Sequence, residues 1–189
     1  SLAVEEMSKG ELIQLERSRT EVYDKNVYFN VIQKKTAALL AAACAIGVHS
    51  APLSNHDDIR NALYGYGLQL GMAFQIKDDL FDYGEAEVGK PRGNDLREGK
   101  KTLPLILAHQ MSSTKDRAWL NKQTRLAKKQ RLARKKVIRF VKESGALEES
   151  EKIMLSYAAQ AKKRLDELSP CRAVESLRHL VDYSMTRKL

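Results

Sequence analysis

Residues 65–107 read GYGLQLGMAFQIKDDLFDYGEAEVGKPRGNDLREGKKTLPLIL. The first part belongs to one long helix, expected over residues 56–83, with apolar positions recurring at helical spacing. Gly65, Gly67, Gly71 and Ala73 lie inside it. Glycine inside a helix costs roughly 1 kcal/mol against alanine. A row of small residues therefore predicts close approach of another backbone or of a ligand. Gly84, Gly89, Pro91, Gly93 and Gly99 follow, so residues 84–99 read as a loop. Helical character resumes over residues 102–110, where Pro104 fits a first turn.

The same periodicity extends in both directions. A first helix is expected over residues 2–22. Asp24 is placed to cap the next, which runs to His49. Residues 37–48 of that helix are apolar nearly all round, which predicts a place in the middle of a bundle. At 12 residues the run is too short to span a bilayer. Residues 50–55 read as a connection. Further helices are expected over residues 115–122, 125–144, 147–168 and 171–186. No strand pattern, repeat or linker appears. The expected fold class is all-α, with residues 1–189 forming part of a single domain.

Composition agrees and excludes several classes. The 189 residues are 43% hydrophobic, enough for a substantial core, and only 4 are Pro and 10 Gly. Two cysteines, Cys44 and Cys171, exclude a disulfide framework and a Cys-rich zinc site. No secretory leader pattern opens the sequence, so a cytoplasmic setting is expected. The net charge is +9, and the excess is local: after Lys115, eleven more Lys or Arg follow up to Lys142. That segment reads first as a solvated helix exterior, with an anionic membrane surface left open as a partner. Nucleic acid is not expected, because the segment's two aromatics, Trp119 and Phe140, are not the repeated interleaving that single-strand binders use for stacking.

The chemistry is concentrated in FQIKDDLFD, residues 74–82. Asp78 and Asp82 are four apart and share one helical face, and Asp79 is rotated from Asp78 by roughly 100°. Such carboxylates repel one another unless cations sit between them. Hard oxygen ligands on a rigid helix suit Mg2+, which keeps several waters and takes other ligands from a substrate phosphate. An exposed acidic helix end is the bland reading, but Phe74, Ile76, Leu80 and Phe81 surround the triad. Lys90, Lys100 and Lys101 on the glycine-rich loop add mobile ammonium groups, the complement a diphosphate needs. Lys35, beside Thr36 on the preceding apolar helix, should have an anionic partner if it faces inward.

These residues resemble the second aspartate-rich motif and following loop of the trans-isoprenyl diphosphate synthases, the polyprenyl synthetase family. KGELIQL at residues 9–15 is similar to that family's GE-x-x-Q helix, and KKTAALL at residues 34–40 to its Lys-Thr motif. The resemblance implies an all-α isoprenoid-synthase bundle around an apolar cavity, usually homodimeric. It implies Mg2+-assisted ionisation of an allylic diphosphate and attack on the resulting carbocation by isopentenyl diphosphate. By motif position, Asp78, Asp79 and Asp82 would ligate the metal, and Lys35, Lys90 and Lys100 would contact the diphosphate. Gln75 and Thr36 would lie near the reacting carbons, and Phe74 near the isopentenyl group. Gly10-Glu11 with Gln14 looks most like the long-chain, octaprenyl-type branch. Arg187-Lys188 resembles a basic C-terminal end that closes over the site.

The resemblance also implies an earlier aspartate-rich motif and an upstream basic set, and no second DDxxD occurs in this sequence. The chain therefore reads as a partial bundle without the N-terminal helices. It is expected to be inactive alone and to self-associate through exposed apolar faces or to join a missing N-terminal half. The alternative is a non-catalytic helical subunit of a heteromeric prenyl synthase.

Overall fold

The computed structural model of the protein describes residues 2–49, 56–84 and 93–187. Most of these residues are helical, with no strand among them. In chain order the helices are α1 (Leu2–Ser18), α2 (Lys25–Ile32), a π-helical turn (Gln33–Ala37), α3 (Ala38–His49), α4 (His56–Phe81), α5 (Asn94–Glu98), α6 (Leu103–Met111), α7 (Thr114–Ala127), α8 (Arg131–Glu143), α9 (Ala146–Leu165) and α10 (Arg172–Thr186). The connection expected at residues 50–55 lies outside the described residues.

Local chemistry fixes most of the boundaries. α1 ends four residues earlier than its pattern predicts. Arg19 and Thr20 donate their N–H groups to Glu16 and Arg17, three residues back, and this tightens the last turn. Asp24 caps α2 as expected, its carboxylate accepting the N–H of Asn26 at 2.7 Å. The break between α7 and α8 falls at residues 128–130 rather than between 122 and 125. Lys129 and Gln130 both donate to the Leu126 carbonyl there, which ends α7. The expected loop at residues 84–99 contains α5. Gly93 and Gly99 bracket this short helix in left-handed conformations, at φ +72° and +77°. That is the conformation glycine adopts without steric cost.

The chain divides into two compact units. The first draws on residues 1–11, 30–75 and 153–188, the second on residues 12–29 and 76–152 with residue 189. In the first, α4 presses closely on α3 and on the π-helical turn before it. A Cβ on Gly67 would stand 2.8 Å from the Ala41 Cα, and one on Gly71 would stand 2.6 Å from the Ala37 Cα. Gly67 and Gly71 thus answer to a neighbouring backbone, whereas a Cβ on Gly65 would meet the Arg164 side chain. α10 docks on α4 through the buried Tyr66, whose hydroxyl donates to the Leu177 carbonyl at 3.0 Å. In the second unit α6 is central, with Leu103, Leu105, Ile106, Leu107 and Ala108 all buried. The paired helices α7 and α8 bury Leu120, Ala127, Val137 and Val141.

The apolar run at residues 37–48 is not enclosed on every side. Ala37, Ala41 and Val48 are buried, whereas Leu39 is 46% exposed and Ile46 65%. An all-round apolar helix with one bare face is the difference from expectation. Lys25–Val48, 24 residues of continuous helix, is long and apolar enough by length and composition to cross a membrane. The core helix of a soluble protein meets that criterion equally.

Candidate active site

α4 and the turn that ends it carry Gln75, Asp78, Asp79 and Asp82 at i, i+3, i+4 and i+7, one continuous stripe of the helix surface. Buried Tyr28, on α2, donates its hydroxyl to the Asp79 carboxylate at 2.7 Å, and Asp79 is itself buried. The two oxygens of Asp82 accept the backbone N–H groups of Asn94 (2.9 Å) and Asp95 (3.2 Å). Asp82 therefore anchors the start of α5. Burial and the neighbouring Asp95 carboxylate push its pKa up to about 6, against the opposing pull of those N–H donors. A carboxylate destabilised in this way gains from a nearby cation.

α5 sets the first cation. Gly99 terminates it with its N–H on the Asp95 and Leu96 carbonyls. The chain then turns so that Lys100 Nζ meets Asp95 Oδ1 at 3.0 Å and Glu98 Oε2 at 2.8 Å. Burial disfavours the Lys100 charge, but the two carboxylates outweigh that cost and hold its pKa above the usual lysine value. Lys90 lies outside the described residues.

The first unit holds a second group. The π-helical turn contains both Lys35 and Thr36. A turn of this kind adds a residue to the helical cycle and re-aims the side chains it carries. α1 packs against it closely enough that a Cβ on Gly10 would stand 2.7 Å from the Lys35 nitrogen. Lys35 Nζ pairs with Glu11 Oε1 at 2.8 Å, the anionic partner the sequence called for. That pair is only partly buried, with the Glu11 side chain 54% exposed, so both charges keep water contact. The Thr36 hydroxyl donates to Gln75 Oε1 at 2.8 Å, tying the Lys-Thr turn to α4. The Arg187 guanidinium lies 4.3 Å from the centre of the Phe74 ring, within cation–π range. Lys188 lies outside the described residues.

The described residues fall in two groups, Lys35, Thr36, Phe74 and Gln75 in the first unit and Asp78, Asp79, Asp82 and Lys100 in the second. Thr36 and Gln75 are bonded, Lys35 is held by Glu11, and Phe74 is covered by Arg187. Asp79 and Asp82 are each oriented by protein donors. Two residues were missed: Tyr28, seven positions before Lys35, and Asp95, framed by Gly93 and Gly99. Among the described residues no three acidic, His or Cys side chains converge as a preformed metal cage. The donor set nevertheless fits a hard divalent cation that keeps water and shares a substrate phosphate, because carboxylates pre-oriented by hydrogen bonds supply oxygen ligands without further ordering.

Residues 1–141 match the polyprenyl synthetase family model. The chain is 32% identical to heptaprenyl diphosphate synthase component 2 of Bacillus subtilis, over 100% of this chain and 53% of that protein. It is 36% identical to a short chain isoprenyl diphosphate synthase of Methanothermobacter thermautotrophicus, over 85% of this chain and 49% of that protein. Among solved structures it resembles a polyprenyl synthase from Caulobacter crescentus complexed with calcium and isoprenyl diphosphate. The TM-score there is 0.90 at 36% identity, covering 99% of this chain and 57% of that one. The chain spans about half the length of the curated relatives it matches.

Proposed function

Because the chain belongs to the polyprenyl synthetase family, we propose that it acts in prenyl transfer, binding the diphosphate of an allylic substrate that condenses with isopentenyl diphosphate. The observation that carries this reading is the α4 stripe, with Asp79 held by Tyr28 and Asp82 held by the start of α5. In this reading Asp78, Asp79 and Asp82 would hold a divalent cation, Mg2+ by the chemistry of the oxygen set, which would supply positive charge to the departing diphosphate. Lys35 and Lys100 donate to phosphate oxygens, exchanging carboxylate partners they now hold for the incoming anion. Thr36 fixes the Gln75 amide, whose dipole is then oriented before substrate arrives. Phe74 supplies an apolar surface on the isopentenyl side. A long-chain product rests on Gly10, Glu11 and Gln14 and belongs to the same proposal.

One carboxylate stripe supplies charge to a diphosphate from one side. The proposal therefore includes a second arm, supplied by another copy or by a segment corresponding to the rest of the relatives' length. The half-exposed Leu39 and Ile46 are suited to such a contact. The similarity to a protein named as one component of a synthase supports a heteromer, and the second reading keeps this chain as a non-catalytic helical subunit of one. Farnesyl diphosphate, labelled isopentenyl diphosphate and Mg2+ separate the two readings. The chain alone should give no product, and mixing it with the N-terminal half of a full-length relative should restore elongation. Asp78→Ala should remove the restored activity by at least about a hundredfold. Restored activity indifferent to Asp78→Ala would move the non-catalytic reading ahead.

A further inference from the structure

Helices α7 and α8, both in the second unit, carry the charge that the diphosphate site does not use. From Lys115 to Lys142 there are twelve Lys or Arg and one acid, Asp116, so this segment holds +11 while the whole chain holds +9. The two helices turn their apolar sides inward, burying Leu120, Ala127, Ala133, Val137 and Val141. On α8 the opposite side presents Arg131, Lys135 and Arg139 at four-residue intervals, about 6 Å apart along the axis, with Lys142 one turn further. On α7 the solvent side presents Lys115, Lys122 and Arg125. Only two of the twelve cations hold a carboxylate among the described residues: Arg125 with Glu21 at 3.0 Å and Arg139 with Glu143 at 2.7 Å. Uncompensated like charge on one hairpin raises its self-repulsion, and a polyanionic surface relieves it.

We propose that the α7–α8 hairpin is a docking surface for an anionic lipid bilayer. Leu132, 67% exposed, stands among Arg131, Lys135 and Lys136 on the outward side of α8. An apolar side chain ringed by cations matches a surface whose outer layer is anionic and whose interior is hydrocarbon. The aromatic residues of the hairpin are already engaged with each other, the Trp119 and Phe140 rings lying 5.2 Å apart, so they offer no platform for nucleobases. The choice of occupant also rests on the prenyl-transfer reading. A polyprenyl diphosphate is itself an anionic head on a long apolar tail, and it partitions into a bilayer. The buried faces of α7 and α8 stay in the fold, so adsorption is electrostatic and weakens with salt.

Co-sedimentation of the full chain with phosphatidylcholine vesicles, with and without 30 mol% phosphatidylglycerol, tests this in the absence of any diphosphate or metal. Its failure therefore leaves the prenyl-transfer reading standing. The chain should bind the anionic vesicles, ignore the neutral ones and detach as salt is raised. The triple variant Lys122→Glu, Arg131→Glu, Lys135→Glu should lose at least about tenfold in partitioning. A matched variant outside the hairpin, Lys152→Glu, Lys163→Glu, Arg172→Glu, changes net charge equally and should keep binding, with unchanged helicity by circular dichroism in both. Equal loss in the two variants, no preference for anionic vesicles, or tighter binding to a 20-base-pair DNA duplex than to the vesicles would each overturn the proposal.

Discussion

Tyr28 and Asp79 are each only 6% exposed, and the hydroxyl of one donates to the carboxylate of the other. A hydrogen bond to a buried charged group contributes about 1.5–3 kcal/mol, because its loss leaves the charge partly unsatisfied. Tyr28→Phe should lower unfolding free energy by about that amount in urea titration, and an unchanged midpoint would show that Asp79 finds equivalent donors. Lys101 gives a second test. Burial, then the nearby Lys128 charge, pushes its pKa down to about 8. Among the described residues its ammonium meets the Gly99 carbonyl and the Tyr23 ring, and no carboxylate. With the folded value below the ordinary 10.5, the unfolded chain binds more protons between about pH 8 and 10.5, so stability rises with pH across that window. Lys101→Met should therefore stabilise the protein at pH 7, and the advantage should shrink toward pH 10.5 in thermal melts. An advantage constant with pH would assign the gain to packing instead. At this scale the placement of the aspartates was legible, because four-residue spacing amid apolar residues is the period of one helix face. Tyr28 was not, since its bond to Asp79 joins positions 51 apart and a lone tyrosine carries no sequence signature.

Among elements, α3 and α4 show how a small-residue row becomes geometry. Gly71→Ala would put a methyl 2.6 Å from the Ala37 Cα, a clash with backbone that neither helix can relieve by rotating a side chain. The expected cost is about 1–3 kcal/mol of strain, only partly offset by about 1 kcal/mol of helix propensity. Gly47 in α3 faces open space, so Gly47→Ala should instead stabilise by up to about 1 kcal/mol. Opposite signs in paired thermal melts would confirm that the first glycine serves helix approach and the second does not. Periodicity revealed the long helices, but two local features escaped it. Nothing in QKKTA distinguishes a π-helical turn from α-helix, because the signal lies in hydrogen-bond register rather than residue type. α5 is five residues long and lies between two glycines, so its pattern is too short to rise above the loop chemistry around it.

For the whole molecule, motif order along the chain announced the family, and the match over residues 1–141 bears it out. The division into two compact units was not legible, since α1 and α4 run unbroken from residues of one into residues of the other and no linker composition marks the change. The bare side of α3 was also unreadable from hydropathy, which reports how apolar a helix is and not which neighbours the chain supplies. The central claim is that this chain binds a diphosphate through a divalent cation held by the α4 aspartates. Titration calorimetry with an unreactive thio-analogue of farnesyl diphosphate tests it directly, because binding needs no completed reaction. Binding should require Mg2+, weaken at least about tenfold in Asp78→Asn, and stay unchanged in Asp57→Asn at the far end of the same helix. Equal affinity with and without Mg2+, or equal effects of the two substitutions, would contradict it.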